Sequence, residues 1–210
     1  MKILAILLFA IPLFLFTSCE KKEEEKNYVL DDSIIAGQKY GAGIEYVDLK
    51  PDTYCAIADP FENTETTISF DFNKDDIEDF LIKGSVCSPY MLGASCESFT
   101  IVPLHENEIC TNATSTWVDT LPSGTYINAF LNWSSEESVI YSYTEYQNSS
   151  RWSTGYWNDV SSKQKYFIGF KIMKDKKAYY GWIAVKTRPS PWFFTFYLTE
   201  YGILKDYEKN

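Results

Sequence analysis

Polar and apolar residues alternate along much of this chain with a period of two, and no run longer than about ten residues keeps the 3.6-residue apolar period of a helix. The clearest case is Thr66-Thr67-Ile68-Ser69-Phe70-Asp71-Phe72; Ile168–Ile172 and, less strictly, Trp192–Leu198 repeat it. Successive side chains of a strand point to opposite faces, so such runs are half-buried strands. Ile44–Leu49, Ile77–Ile82, Ser98–Val102, Thr125–Leu131 and Tyr179–Val185 are rich in β-branched and aromatic residues and read the same way. Turn formers stand between them: Pro51-Asp52, Asn73–Asp76, Pro122-Ser123-Gly124, Asn148–Ser150 and Lys174–Lys176. Many short strands with frequent turns predict an all-β fold, a two-sheet antiparallel sandwich or jelly roll, as one domain over 28–210. Two hairpins are expected. One joins Thr66–Phe72 to Ile77–Lys83 across Asn73–Asp76, and the other joins Tyr166–Met173 to Ala178–Lys186 across Lys174–Lys177. Gly169 and Gly181 inside the second mark bulges or close packing against aromatics.

The amino terminus follows different rules. After Met1-Lys2, Ile3–Phe16 is a fourteen-residue apolar run broken only by Pro12. At ~1.5 Å per residue it reaches ~21 Å, short of a ~30 Å hydrocarbon core, so it reads as an export signal over 1–18. The run ends at Phe16-Thr17-Ser18-Cys19, which resembles the lipobox of bacterial lipoproteins, with Phe16 where Leu is commonest. That resemblance implies lipidation of Cys19 and a membrane partner held through acyl chains, each CH₂ contributing ~0.8 kcal/mol. Residues 19–27 continue as Glu20-Lys21-Lys22-Glu23-Glu24-Glu25-Lys26-Asn27, a charged stretch with nothing to bury and therefore a tether. An acid-rich segment directly after the cysteine is similar to the signal that sends Bacteroidetes lipoproteins to the outer face of the outer membrane. The expected location is the cell exterior, with periplasmic retention as the alternative.

Charge and cysteine content narrow the partners. With 29 Asp and Glu against 19 Lys and Arg, the formal net charge is −10, the wrong sign for binding nucleic acid. Beyond Cys19, four cysteines remain in an exported chain: Cys55, Cys87, Cys96 and Cys110. Two disulfides are the natural expectation. Of the three pairings, the short loop between them favours Cys87 with Cys96, leaving Cys55 with Cys110. Zinc is the weaker reading, because no C-x₂-C spacing exists and His105 is the only histidine.

Asp71-Phe72-Asn73-Lys74-Asp75-Asp76-Ile77-Glu78-Asp79 sets oxygen side chains at relative positions 1, 3, 5 and 9. That spacing resembles a calcium loop, in which Asp71, Asn73, Asp75 and Asp79, with the carbonyl of Ile77, would surround Ca²⁺. Asp76 stands where such loops have glycine, and Ile82 where an acid closes them. The competing reading is an acidic turn whose side chains cap their own backbone. Together with Tyr166-Phe167-Ile168-Gly169-Phe170 and Tyr179–Val185, the wider segment Ser69–Phe80 is similar to secreted Bacteroidetes β-sandwich proteins with a D-x-N-x-D-G-x-D-D-F-like hairpin. The similarity covers about a third of the chain and implies architecture, with no activity attached.

Candidate binding residues crowd into Asn132–Trp157, where Trp133, Tyr143, Trp152, Tyr156 and Trp157 stand among Ser, Asn and Thr. Flat rings beside hydroxyl and amide groups suit the C–H faces and hydroxyls of a sugar, and equally suit a protein ligand. The bland alternative is that these rings fill the core. No G-x-S-x-G, H-E-x-x-H or phosphate-binding loop is present, and His105 stands alone. Asp32-Ser33-Ile34 and Asp119-Thr120-Leu121 resemble Bacteroidetes O-glycosylation acceptors. The expectation is a non-catalytic binding or adhesion module, glycan recognition first. A secreted jelly-roll hydrolase with two facing carboxylates and a subunit of a larger surface complex are the alternatives.

Overall fold

The computed structural model describes residues 33–56, 65–87, 94–114, 116–146, 151–155, 157, 165–189 and 194–205. Among them there is no helix. The strands in chain order are β1 (Ile34–Ile35), β2 (Ile44–Ala56), β3 (Glu65–Phe70), β4 (Phe80–Cys87), β5 (Ala94–Pro103), β6 (Glu108–Cys110) and β7 (Leu121–Pro122). They continue as β8 (Tyr126–Ile127), β9 (Trp133–Ser134), β10 (Ser138–Tyr146), β11 (Arg151–Thr154), β12 (Tyr166–Lys174), β13 (Lys177–Pro189) and β14 (Phe194–Leu204).

Two antiparallel sheets face each other. One has five strands in the order β11-β10-β5-β4-β3; the other runs β2-β14-β13-β12-β6-β9, with β7 also paired to β12. Neither closes into a barrel, and the expected sandwich is the result. Phe80, Ile82, Phe99, Ile101 and Ile140 of the five-stranded sheet meet Ile168, Phe170, Ile183, Val185, Phe196 and Leu198 of the other in one inner cluster. Phe72 lies flat against Phe170, centroids 4.5 Å apart and planes 13° apart. Each such side chain contributes ~1.5–3 kcal/mol by leaving water.

A second apolar cluster forms on the outer face of the seven-stranded sheet, a layer the alternation did not announce. Phe167, Tyr180, Trp182 and Ala184 project there and are covered by Ile34, Ala36, Leu121 and Ile127. The cover is a small β1–β8 ribbon, Ile34 opposite Ile127 and Ile35 opposite Tyr126. We call it the cap. Strands β12 and β13 are therefore buried on both faces. Glycine makes room for the bulk: a Cβ on Gly202 would lie 2.7 Å from the Trp182 ring, and one on Gly181 2.2 Å from Phe170. Gly181 thus packs against an aromatic as expected, whereas Gly169 is crowded by Leu121 and Cys110.

The second hairpin has the expected register, Tyr166 opposite Val185 and Lys174 opposite Lys177. Its two-residue turn holds Asp175 and Lys176 at φ 51° and 65°, the paired left-handed geometry of a type I′ turn. The first hairpin has a longer loop than expected. Its ladder stops at Phe70 opposite Phe80, and 71–79 leave the sheet because the Asp79 carboxylate takes the amide of Phe72, which would otherwise extend the ladder. Thr125–Leu131 is likewise a strand for only two residues. The Asn128 side chain accepts from the Phe130 amide at 2.9 Å and turns the chain out of the ribbon.

Candidate functional site

The acidic loop satisfies itself with protein donors. Asp71 Oδ1 accepts from the amides of Lys74 (2.7 Å) and Asp75 (3.2 Å), and Oδ2 from that of Asp76 (2.8 Å). Asp75 Oδ1 accepts from the Ile77 amide, and its Oδ2 pairs with Lys174 at 3.2 Å. Lys74 and Asp76 adopt the left-handed backbone, φ 60° and 65°, so the aspartate standing at the glycine position still makes the turn.

Asp79 plays a different part. It is buried and accepts from the amides of Phe72 (2.8 Å) and Asn73 (3.4 Å), and from the side-chain amides of Asn73 (3.4 Å) and Asn107 (3.1 Å). Burial pushes its carboxyl above the usual range, against the pull of those donors. Asn107 Oδ1 in turn accepts from the Met173 amide, so Asp79 and Asn107 clip the loop to the opposite sheet. Among the described residues no group of three or more His, Cys, Asp or Glu converges to hold a metal ion. For Asp71, Asn73, Asp75, Ile77 and Asp79 to ligate calcium, Asp79 would have to leave this clip and Asp75 its lysine. Of the side-chain oxygens of these candidate ligands, Asn73 Oδ1 is the one buried without a partner.

The aromatic candidates do not assemble. Trp157 is fully buried in the inner core, edge-on to Phe196 at 5.9 Å, which corrects its assignment as a ligand-binding residue. Tyr143, on β10, packs partly buried against that same core. Trp133 belongs to the other sheet and the outer cluster: its indole N–H donates to the Asn128 carbonyl at 3.0 Å, and its ring lies 5.6 Å from that of Tyr180. No shelf joins these three residues, because alternation sends neighbours in sequence to different layers. The Trp152 side chain and Tyr156 lie outside the described residues.

Among the described residues four large rings stand in solvent: Tyr54 on β2, 58 % exposed and 6.0 Å from the Tyr197 ring, and three on the cap and its flanking turns. Tyr40 is 84 % exposed, Tyr126 56 % and Phe130 89 %. Tyr126 points outward because its strand neighbour Ile127 points in. Phe130 follows the Asn128 turn, and Asn128 was the available sequence signal that Thr125–Leu131 is not a continuous strand. Tyr40 is set by Gln38, whose side chain accepts from the Ile35 amide and donates to the Tyr40 carbonyl.

A charged clasp ties this segment to the sheet. Glu200 accepts from Lys39 (2.8 Å), the Tyr46 hydroxyl (2.6 Å) and Lys165 (2.6 Å) while its side chain is 7 % exposed. Burial opposes its charge, but bonds from Lys165, Lys39 and Tyr46 outweigh that and draw the carboxyl down to about 2. Tyr46 moves the other way: burial and the neighbouring carboxylate push its phenol up.

The cysteines divide. Cys55 and Cys110 are free buried thiols, which corrects the expected bond between them. Their strands, β2 and β6, are separated by β14, β13 and β12. Four steps of ~4.8 Å set them ~19 Å apart, far beyond the ~7 Å Cα limit of a disulfide. They also face opposite sides of the sheet, Cys55 in the inner cluster and Cys110 in the outer. Burial pushes the Cys55 thiol up to about 11 and that of Cys110 to about 12, which makes both poor nucleophiles. Cys96 is disulfide-bonded, and the ladder sets Cys87 opposite it. His105 is exposed, as expected of a lone surface histidine. Cys19 lies outside the described residues. Comparison of the chain with family models, with curated proteins and with solved structures finds no match.

Proposed function

We propose that this chain is a non-catalytic binding module, tethered by a lipidated Cys19 to the outer membrane and facing the cell exterior, that recognises glycans through the aromatic side chains of its cap. The observation that carries the reading is the exposure of Tyr40, Tyr126 and Phe130. Among the described residues five large hydrophobic side chains stand in solvent; of these, Tyr126 is on β8 of the cap, and Tyr40 and Phe130 stand in the chain segments that directly follow β1 and β8. Leaving a phenylalanine in water forgoes ~1.5–3 kcal/mol of burial, a cost that stacking against the C–H face of a sugar offsets. The Lys39–Glu200 clasp and the Gln38 bonds hold the cap in place before any ligand arrives, which reduces the entropy lost on binding.

An array of immobilised glycans probed with the mature chain in detergent tests this reading. Binding that falls at least ~10-fold in the Tyr126→Ala, Phe130→Ala double variant supports it. A silent array, or an unaffected double variant, overturns it. Running the array with Ca²⁺ and with chelator tests the loop at the same time: calcium ligation through Asp71, Asn73, Asp75, Ile77 and Asp79 predicts a higher Tm with the metal. Mass spectrometry of the mature amino-terminal peptide tests the anchor, and an unmodified Cys19 sinks it. We assign Cys87 as the partner of Cys96; non-reducing peptide mapping should recover that pair, with Cys55 and Cys110 as thiols.

A further inference from the structure

At one end of the sandwich a cavity of about 280 Å³ opens between the acidic loop and the ends of the last three strands. Asn73, Ile172, Lys174, Tyr179, Ile203 and Lys205 line it. We propose that this cavity binds a small hydroxylated carboxylate, the carbon body resting on Ile172, Ile203 and Tyr179, the carboxylate at Lys205 and Lys174, and a hydroxyl donating to Asn73. Its size suits a single sugar ring or a short hydroxy acid, being below the ~300–1,000 Å³ of pockets for larger ligands.

Three features of the lining favour that chemistry. First, both charged lining groups are ammoniums, although the chain as a whole is acidic. Their carboxylate partners, Asp75 for Lys174 and Glu45 for Lys205, are not among the lining residues. Second, Lys205 can change partners without stranding a charge, because Glu45 is also held by Lys74 at 2.6 Å. The side chains of Lys174 and Lys205 are 50 % and 42 % exposed, so they are the movable part of the wall. Third, the Asn73 Oδ1 is a buried acceptor with no donor. Its amide cannot usefully flip, since the Nδ2 donates to Asp79 Oδ1 and a flip would set oxygen against oxygen. A buried acceptor without a donor is costly, and a ligand hydroxyl supplies what is missing.

This inference does not rest on the cap. Ligand-observed NMR on the mature chain in detergent, titrating glucuronate, lactate, glucose and acetate, tests it. Glucuronate or lactate should bind at least ~10-fold more tightly than glucose, which lacks the carboxylate, and than acetate, which lacks the hydroxyl. Saturation by glucuronate alone assigns a sugar source, and by lactate alone a free acid. Lys205→Met should weaken binding at least ~5-fold with little change in Tm, and Lys174→Met serves if that variant folds poorly. Phe130→Ala should leave this binding unchanged, which separates the cavity from the cap. Glucose matching glucuronate, lysine variants without effect, or no saturation by either acid overturns the proposal.

Discussion

The two faces of the seven-stranded sheet are buried by different means. The inner face meets another sheet, and its large rings fill the gap directly, Phe72 on Phe170 on Phe80 with centroids 4.5 to 5.8 Å apart. The outer face meets no second sheet of comparable size, but the two-residue β1–β8 ribbon, its turns, Leu121 of β7 and Trp133 of β9. There one large ring, Trp182, covers Gly202 and stands edge-on to Phe167 at 5.2 Å, and the margin is held by the Glu200 clasp. Extended apolar area secures the first interface; steric fit and a few charge-assisted bonds secure the second. A layer held by few contacts on a rigid sheet can vary its exposed side chains at little cost to the fold, which suits it to carry recognition.

Four substitutions sharpen or break that contrast. Phe170→Ala should cost the most, ~3–5 kcal/mol, since it opens a cavity among stacked rings that cannot collapse. A loss below ~1 kcal/mol in urea melts would show that the inner core is loosely packed. Glu200→Gln should cost ~2 kcal/mol, discounted from the ~3–5 kcal/mol of a fully buried pair because Lys39 and Lys165 are partly solvated.

The same variant carries a pH signature. The folded carboxyl, near 2, lies below its unfolded value of ~4.3, so its stabilisation is complete above about pH 5 and fades as the pH falls toward 2. The gap in stability between wild type and Glu200→Gln should therefore close over that window. Asp79, raised by burial, contributes with the opposite sign, favouring the folded state as it protonates, but it is common to both proteins and cancels. A gap independent of pH would remove the clasp from the account.

Gly202→Ala should cost ~1–3 kcal/mol, because the new methyl meets the Trp182 ring and the strand beneath cannot yield. Altered near-ultraviolet dichroism from the tryptophan would report the displacement. Phe130→Ala should change stability least, within ~0.5 kcal/mol, since the ring touches so little. A larger loss would mean that the ring is part of the cap's packing and not free for a ligand.

Strand positions were legible where one face met the core and alternation was undisturbed, as in β3 and the β12–β13 hairpin. They were misjudged where a side chain captured the backbone. Asp79 takes the Phe72 amide and lengthens the first loop, and Asn128 cuts a seven-residue strand expectation to two. Both are Asx-type events that need only short-range geometry, but composition alone does not say whether a given Asp or Asn faces its own backbone or solvent. The Cys55–Cys110 expectation failed for a longer-range reason: counting cysteines says nothing about strand order, and three strands intervene. Trp157 failed similarly, because a ring among serines and asparagines carries no mark of the layer it enters.

The alternating pattern by itself determined that this chain builds strands and that two sheets close over an apolar interior, since a period of two leaves one face in need of cover. Tertiary structure alone decided what provides the cover. Only there does the outer face of β12 and β13 acquire a cap, do Cys55 and Cys110 fall on opposite sides, and do Tyr40, Tyr126 and Phe130 remain in water while Trp157 does not. The physical reason is that periodicity specifies the side toward which a residue points, whereas its burial depends on what distant parts of the chain bring to that side.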